Sequence, residues 1–143
     1  MKFKHGTRRR AAEYEKDWVQ RWKDDDTFNK SIAQRPADNS WVFYDGPPFL
    51  TGTPHHGHLL VSTVKDTMGR FHTMKGQRVE RRWGWDCHGL PAEVYVEKTL
   101  GISNKKEIGT KISVSDYVKE CRAAMVRTGT EWEDTIERIG RWV

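Results

Sequence analysis

Cysteine is scarce. Cys87 and Cys121 are the only two in 143 residues, which excludes a disulfide-stapled scaffold. No apolar run approaches the length of a membrane span. The basic start, MKFKHGTRRR, is not followed by the apolar stretch of a secretory signal. Glu13, Glu15 and Asp17 come at once, which argues against a transit peptide. A cytoplasmic protein without membrane association is the expectation. Apolar residues make up only 36% and mean hydropathy is −0.85, both low for a self-contained α/β domain. Internal repeats and low-complexity tracts are absent, as are the H-E-x-x-H and C-x-x-C metal signatures.

What the chain has instead is large aromatics: seven Trp, five Phe and four Tyr. A few such residues can carry a core, so the composition argues against disorder. The length allows one domain with a modest core, and the low apolar share suits part of a larger body. The apolar ending Arg141-Trp142-Val143 reads as an interruption rather than a finished boundary. Net charge is +5, which suits acidic partners such as nucleotides or nucleic acid and equally suits a solvated basic surface.

Periodicity places the elements. Tyr14, Trp18 and Trp22 recur every four residues and predict a helix over residues 8–24. Residues 29–40 are polar and predict a loop. Trp41–Tyr44 is a short apolar run suited to a strand buried on both faces. Leu60, Val64, Met68, Phe71 and Met74 keep helical spacing, with Gly76 at the C-terminal cap. Val79, Arg81, Trp83 and Trp85 alternate with more polar residues as in a strand. Strand, helix, strand makes a right-handed crossover and a parallel sheet. Pro91 opens a further helix that Gly101 ends. Ser113 or Ser115 caps another, running to about residue 127. Thr130 with Glu133 forms a capping box for a last one, carrying Trp132, Ile136 and Ile139.

Two loops stand out. The first, Tyr44–Leu60, holds three glycines, three prolines and three histidines. It joins the end of the first predicted strand to a helix N-terminus, where free N–H groups attract phosphate. The second, Gly84–Pro91, leaves the end of the neighbouring strand. His55 and His58 lie three apart and share one side of the first helical turn. Two imidazole donors there suit a phosphate that gains charge in a transition state. Gly57 leaves room for a flat ring or ribose on the backbone. Metal ligation by His55, His56, His58, Cys87 and His88 is the rival reading. Against it, adjacent His55 and His56 diverge and no metal-ligand spacing is matched. A purely structural role, in which the histidines cap and fill, stands beside both.

His55-His56-Gly57-His58 is similar to the His-x-Gly-His signature of class I aminoacyl-tRNA synthetases. Asp45-Gly46-Pro47-Pro48-Phe49 precedes it, and Gly84-Trp85-Asp86-Cys87-His88-Gly89-Leu90-Pro91 follows at a matching distance. Together they resemble the isoleucyl-tRNA synthetases, in the branch that includes eukaryotic cytosolic and some bacterial enzymes. Leucine enzymes usually lack the Asp-Cys-His-Gly run, and valine enzymes differ more. Weaker similarity extends from Glu13–Trp22 to Gly140-Arg141-Trp142. His56 departs from the apolar residue common at its position.

The resemblance implies an α/β fold: the first half of a Rossmann-like catalytic domain with parallel strands. An N-terminal helical extension over residues 1–40 would precede the incomplete nucleotide-binding domain of residues 41–143, and helices would follow the strands. It implies that His55 and His58 bind ATP and stabilise the α-phosphate transition state as donors, with Gly57 giving adenine and ribose access. It implies that Asp86 takes the isoleucine ammonium with the Pro47 carbonyl, and that Pro47 forms a wall of the aliphatic pocket. ATP with its Mg2+, isoleucine, tRNA(Ile) and the remainder of a synthetase chain are the implied partners, with no metal held by this segment's own residues. The Lys-Met-Ser-Lys-Ser signature, the inserted editing domain and the anticodon-binding region of that family do not occur in this sequence. Two function classes therefore stand: a segment of an isoleucine–tRNA ligase, or a free-standing nucleotide- or tRNA-binding module without full catalysis. On either, Lys65, Arg70, Arg81 and Arg82 read as solvated or structural, and Cys87 and Cys121 as packing residues.

Overall fold

The computed structural model describes residue 6 and residues 8–143, except for the side chains at 127 and 128. Most of the basic start, residues 1–5 and 7, lies outside the described residues. The described residues form five α-helices in order: α1 (Ala11–Asp24), α2 (Thr27–Ala33), α3 (His56–Met74), α4 (Leu90–Leu100) and α5 (Val114–Arg138). Several of their ends carry the predicted residues. Pro91 lies in the first turn of α4, and Gly101 closes it in the left-handed conformation at φ 65°. Gly76 follows α3 at φ 86°. Ser113 Oγ accepts the Asp116 N–H, 3.0 Å, at the start of α5.

The predicted parallel sheet does not form; among the described residues there is no strand. Residues 40–49 and 78–86 do run side by side in the parallel sense. They meet only in isolated bridges at their ends, Ser40 with Arg78 and Phe49 with Asp86. The first bridge is offset by 38 residues and the second by 37, so the two stretches slip by one residue between them. Pro47 and Pro48 have no N–H to give a ladder. With the register broken and two donors missing, the pair stays extended but unpaired. Nor is Trp41–Tyr44 buried on both faces: Val42 and Tyr44 are exposed, while Trp41 and Phe43 stack on each other at 5.6 Å. The α/β, Rossmann-like expectation is corrected accordingly to a helical arrangement around two extended segments.

Two further expectations change. α2 lies partly where a loop was expected; Phe28 and Ile32, four apart, give it a half-buried side. Residues 114–138 make one helix rather than two. Tyr117, Cys121, Met125, Trp132 and Ile136 stay in phase across Gly129, so a single stripe faces the core and no break is needed.

The main core lies between α4 and α5. Ala92, Val96, Ile102, Tyr117, Ala124, Met125 and Trp132 are buried there, together with Leu50 from the first loop. α3 is built the other way round. Its apolar stripe of Leu60, Val64, Met68, Phe71 and Met74 is exposed, whereas Ser62, Gly69 and Thr73 are buried. The small face of α3 takes the buried Arg81 side chain, and a Cβ on residue 69 would come within 3.0 Å of its guanidinium. Arg81 donates to Asp66 Oδ1 at 3.2 Å and to Thr73 Oγ1 at 3.1 Å. Burial pushes the Arg81 guanidinium below its ordinary value, and the Asp66 charge opposes that shift. Asp66 also takes Arg70 at 2.6 Å and the Trp142 N–H at 3.2 Å. This cluster anchors residues 140–142 on α3 and, through the edge-on Trp22–Trp142 contact at 5.5 Å, anchors α1 as well.

Candidate active site

The Gly- and Pro-rich loop ends at His55, whose backbone is extended (φ −113°, ψ 171°) and which forms the N-cap of α3. The His55 and His58 rings stack with centroids 3.7 Å apart. The His55 N–H donates to His58 Nδ1 at 3.2 Å. A neutral imidazole that accepts at Nδ1 carries its proton at Nε2. His58 is therefore set as an Nε2–H donor at the positive end of a helix of 19 residues. The His55 ring folds over Gly57; a Cβ on residue 57 would lie 3.1 Å from it. His56 is exposed.

Burial, and then the neighbouring His55, holds the His58 pKa below the usual imidazole value. The folded state thus binds a proton at His58 less readily than the unfolded chain does. Its contribution to stability is complete above about pH 6.5 and is lost as pH falls through the lower folded value. In urea titrations between about pH 7.5 and pH 5, the wild-type chain should lose more stability on acidification than His58→Gln. Equal losses would contradict the assignment.

The second loop lies against the first. The Asp86 N–H donates to the Pro48 carbonyl at 2.9 Å, and the Leu50 N–H reaches the Asp86 carbonyl at 3.4 Å. Gly84 faces Pro47, with 3.7 Å from an added Cβ to the Pro47 Cβ. The Asp86 carboxylate accepts one hydrogen bond, from the His88 N–H at 3.3 Å. Among the described residues no Lys, Arg or His forms an ion pair with it, which leaves most of its acceptor capacity free for a cationic ligand.

Trp132 of α5 joins the parts. It is 1% exposed, and its indole N–H donates to the Gly52 carbonyl at 2.8 Å. Its ring meets His58 at 4.7 Å, Trp85 at 5.9 Å and Trp83 at 6.1 Å. The sequence marks Trp132 only as one more apolar position on a helix. Its contact with residues some 80 positions earlier leaves no local pattern to read.

The remaining candidates separate. Lys65 pairs with Asp45 at 2.5 Å, and Arg70 and Arg81 belong to the Asp66 cluster, so these cations are engaged in structure. Cys87 and His88 line a cavity of about 580 Å³ with Tyr117 and Cys121. The described residues contain no group of three or more His, Cys, Asp or Glu side chains placed to hold a metal ion.

The stacked His55–His58 pair thus lies at a helix N-terminus, and the Asp86 carboxylate lies on the adjoining loop. Residues 17–143 match the family described as class I tRNA synthetases (I, L, M and V), and the chain belongs to that family. Within it, the chain is 48% identical over 132 residues to the isoleucine–tRNA ligase of Treponema denticola, which covers 92% of this chain. It is also 48% identical over 125 residues to the cytoplasmic isoleucine–tRNA ligase of Caenorhabditis elegans, covering 87% of this chain. The isoleucine–tRNA ligase of Nocardia farcinica is 46% identical over 138 residues, covering 96%. The chain spans only 11% to 13% of the length of these relatives.

Proposed function

We propose that this chain is a segment of a cytoplasmic isoleucine–tRNA ligase and carries the residues that hold ATP and isoleucine for adenylate formation. The observation that carries the reading is the His58 donor at the N-terminus of α3 and the unpaired Asp86 carboxylate on the second loop, which the Pro48–Asp86 hydrogen bond ties to the first, with Trp132 packed against His58 and Trp85. ATP enters with Mg2+ on its phosphates. The α-phosphate lies at the N-terminus of α3, where His58 Nε2–H and His55 donate to its oxygens. Adenine and ribose rest at Gly57, which requires the His55 ring to turn off that residue. The isoleucine ammonium sits on Asp86 and the Pro47 carbonyl, and its side chain lies against the Pro47 ring.

In this arrangement the isoleucine carboxylate oxygen bonds to the α-phosphorus. The bond from that phosphorus to the bridging oxygen breaks, and pyrophosphate leaves with its Mg2+. Negative charge shifts onto the phosphate oxygens, so fixed donors matter more than a base. The adenylate is then passed to the terminal ribose of tRNA(Ile), with the remainder of the ligase as the partner for that step.

Kinetics of the full-length ligase that carries this segment test the amino-acid side. Asp86→Ala should raise the isoleucine KM by about tenfold or more while leaving the ATP KM within about threefold, because the lost interaction is a charged hydrogen bond to one substrate only. An unchanged isoleucine KM would remove Asp86 from this role.

A further inference from the structure

One buried cation touches the roots of both loops. The Arg141 side chain is 4% exposed. Its guanidinium pairs with the Asp45 carboxylate, donates to Ser62 Oγ of α3 at 3.2 Å, and lies 4.6 Å from the centre of the Trp83 ring. Asp45 is 11% exposed and takes Lys65 Nζ on its other oxygen. Asp45 stands two residues before Pro47, and Trp83 stands three before Asp86. Arg141 thus fixes the point from which each loop leaves, and fixes both against α3. A planar guanidinium can do this with two hydrogen-bonding nitrogens and a ring contact at once, which a lysine cannot. A buried pair of this kind often adds little net stability over an apolar replacement, which directs attention to the geometry it fixes.

We propose that Arg141, acting through Asp45 and Trp83, is a positioning residue that sets the placement of Pro47 against Asp86 and so controls isoleucine recognition. The inference rests on the functional reading above. Arg141 itself reaches no substrate.

The test is steady-state ATP–pyrophosphate exchange by the full-length ligase, wild type against Arg141→Met, Arg141→Lys and Asp45→Asn, with isoleucine and ATP varied separately. Folding of each variant is checked by its thermal transition. Arg141→Met should raise the isoleucine KM about tenfold or more, since small displacements of positioning groups have effects of that order, with the ATP KM within about threefold. Arg141→Lys should recover only part of the loss. Asp45→Asn keeps side-chain size and should reproduce the same split, which keeps the test decisive if Arg141→Met does not fold. Equal changes in both KM values, a change in kcat alone, or no change in any variant would overturn the proposal. A wild-type ligase with no isoleucine-dependent exchange would overturn the functional reading, and this inference with it.

Discussion

Replacing His58 with alanine in the full-length ligase should slow isoleucyl-adenylate formation by about a hundredfold or more, the usual cost of removing one transition-state donor. The expectation follows from three features of the ring. Its Nδ1 accepts the His55 N–H, which leaves the proton on Nε2. Its pKa is held low by burial and by His55, so the ring is a neutral donor at pH 7. Its backbone lies in the first turn of α3, where unsatisfied N–H groups already attract negative charge. The loss should fall on the single-turnover rate at saturating ATP and isoleucine. Because charge builds on the α-phosphate only as the bond changes, the ATP KM should move much less. His58→Gln can still present an N–H near the Nε2 position and should retain part of the rate. A single-turnover rate for His58→Ala within threefold of wild type would exclude the donor role.

Trp132→Ala should destabilise the chain by about 3–5 kcal/mol, the range for emptying the site of a fully buried aromatic. Trp132 is among the largest fully buried side chains and touches three other rings. Removing the indole also strands the Gly52 carbonyl. Trp132→Phe keeps much of the apolar contact but loses that hydrogen bond, which should cost about 1–3 kcal/mol. Urea unfolding of the chain measures both. The two effects belong together physically, because the same ring packs the core between α4 and α5 and supports His58. A loss below about 1 kcal/mol for Trp132→Ala would contradict the burial described here.

The parts legible in the sequence are those with short-range causes. Pro91, Gly101, Gly76 and Ser113 mark helix ends because each meets a local backbone requirement. Gly, Pro and His crowded into Tyr44–Leu60 mark the irregular segment that leads into α3, because that composition suits neither helix nor strand. The sheet is where the reading failed. Alternation in Val79–Trp85 is real, since Val79 and Arg81 are buried and Glu80 and Arg82 exposed. It does not reveal that the facing stretch is one residue longer or that two prolines remove its donors. The stripe on α3 likewise specifies a helix without specifying which face is covered. The contacts of Arg141, Asp45 and Trp132 are not legible for another reason. Their hydrogen bonds Trp132–Gly52, Arg141–Ser62 and Arg141–Asp45 span 79 to 96 residues, and a single long-range contact leaves no periodic trace.

The most direct measurement is isoleucine-dependent ATP–pyrophosphate exchange by the full-length ligase that carries residues 1–143, with leucine and valine as competing amino acids. Exchange that needs ATP and prefers isoleucine over both is the expected result. Exchange that runs equally well with leucine, or does not respond to isoleucine, would contradict the assignment of Pro47 and Asp86 to an isoleucine site.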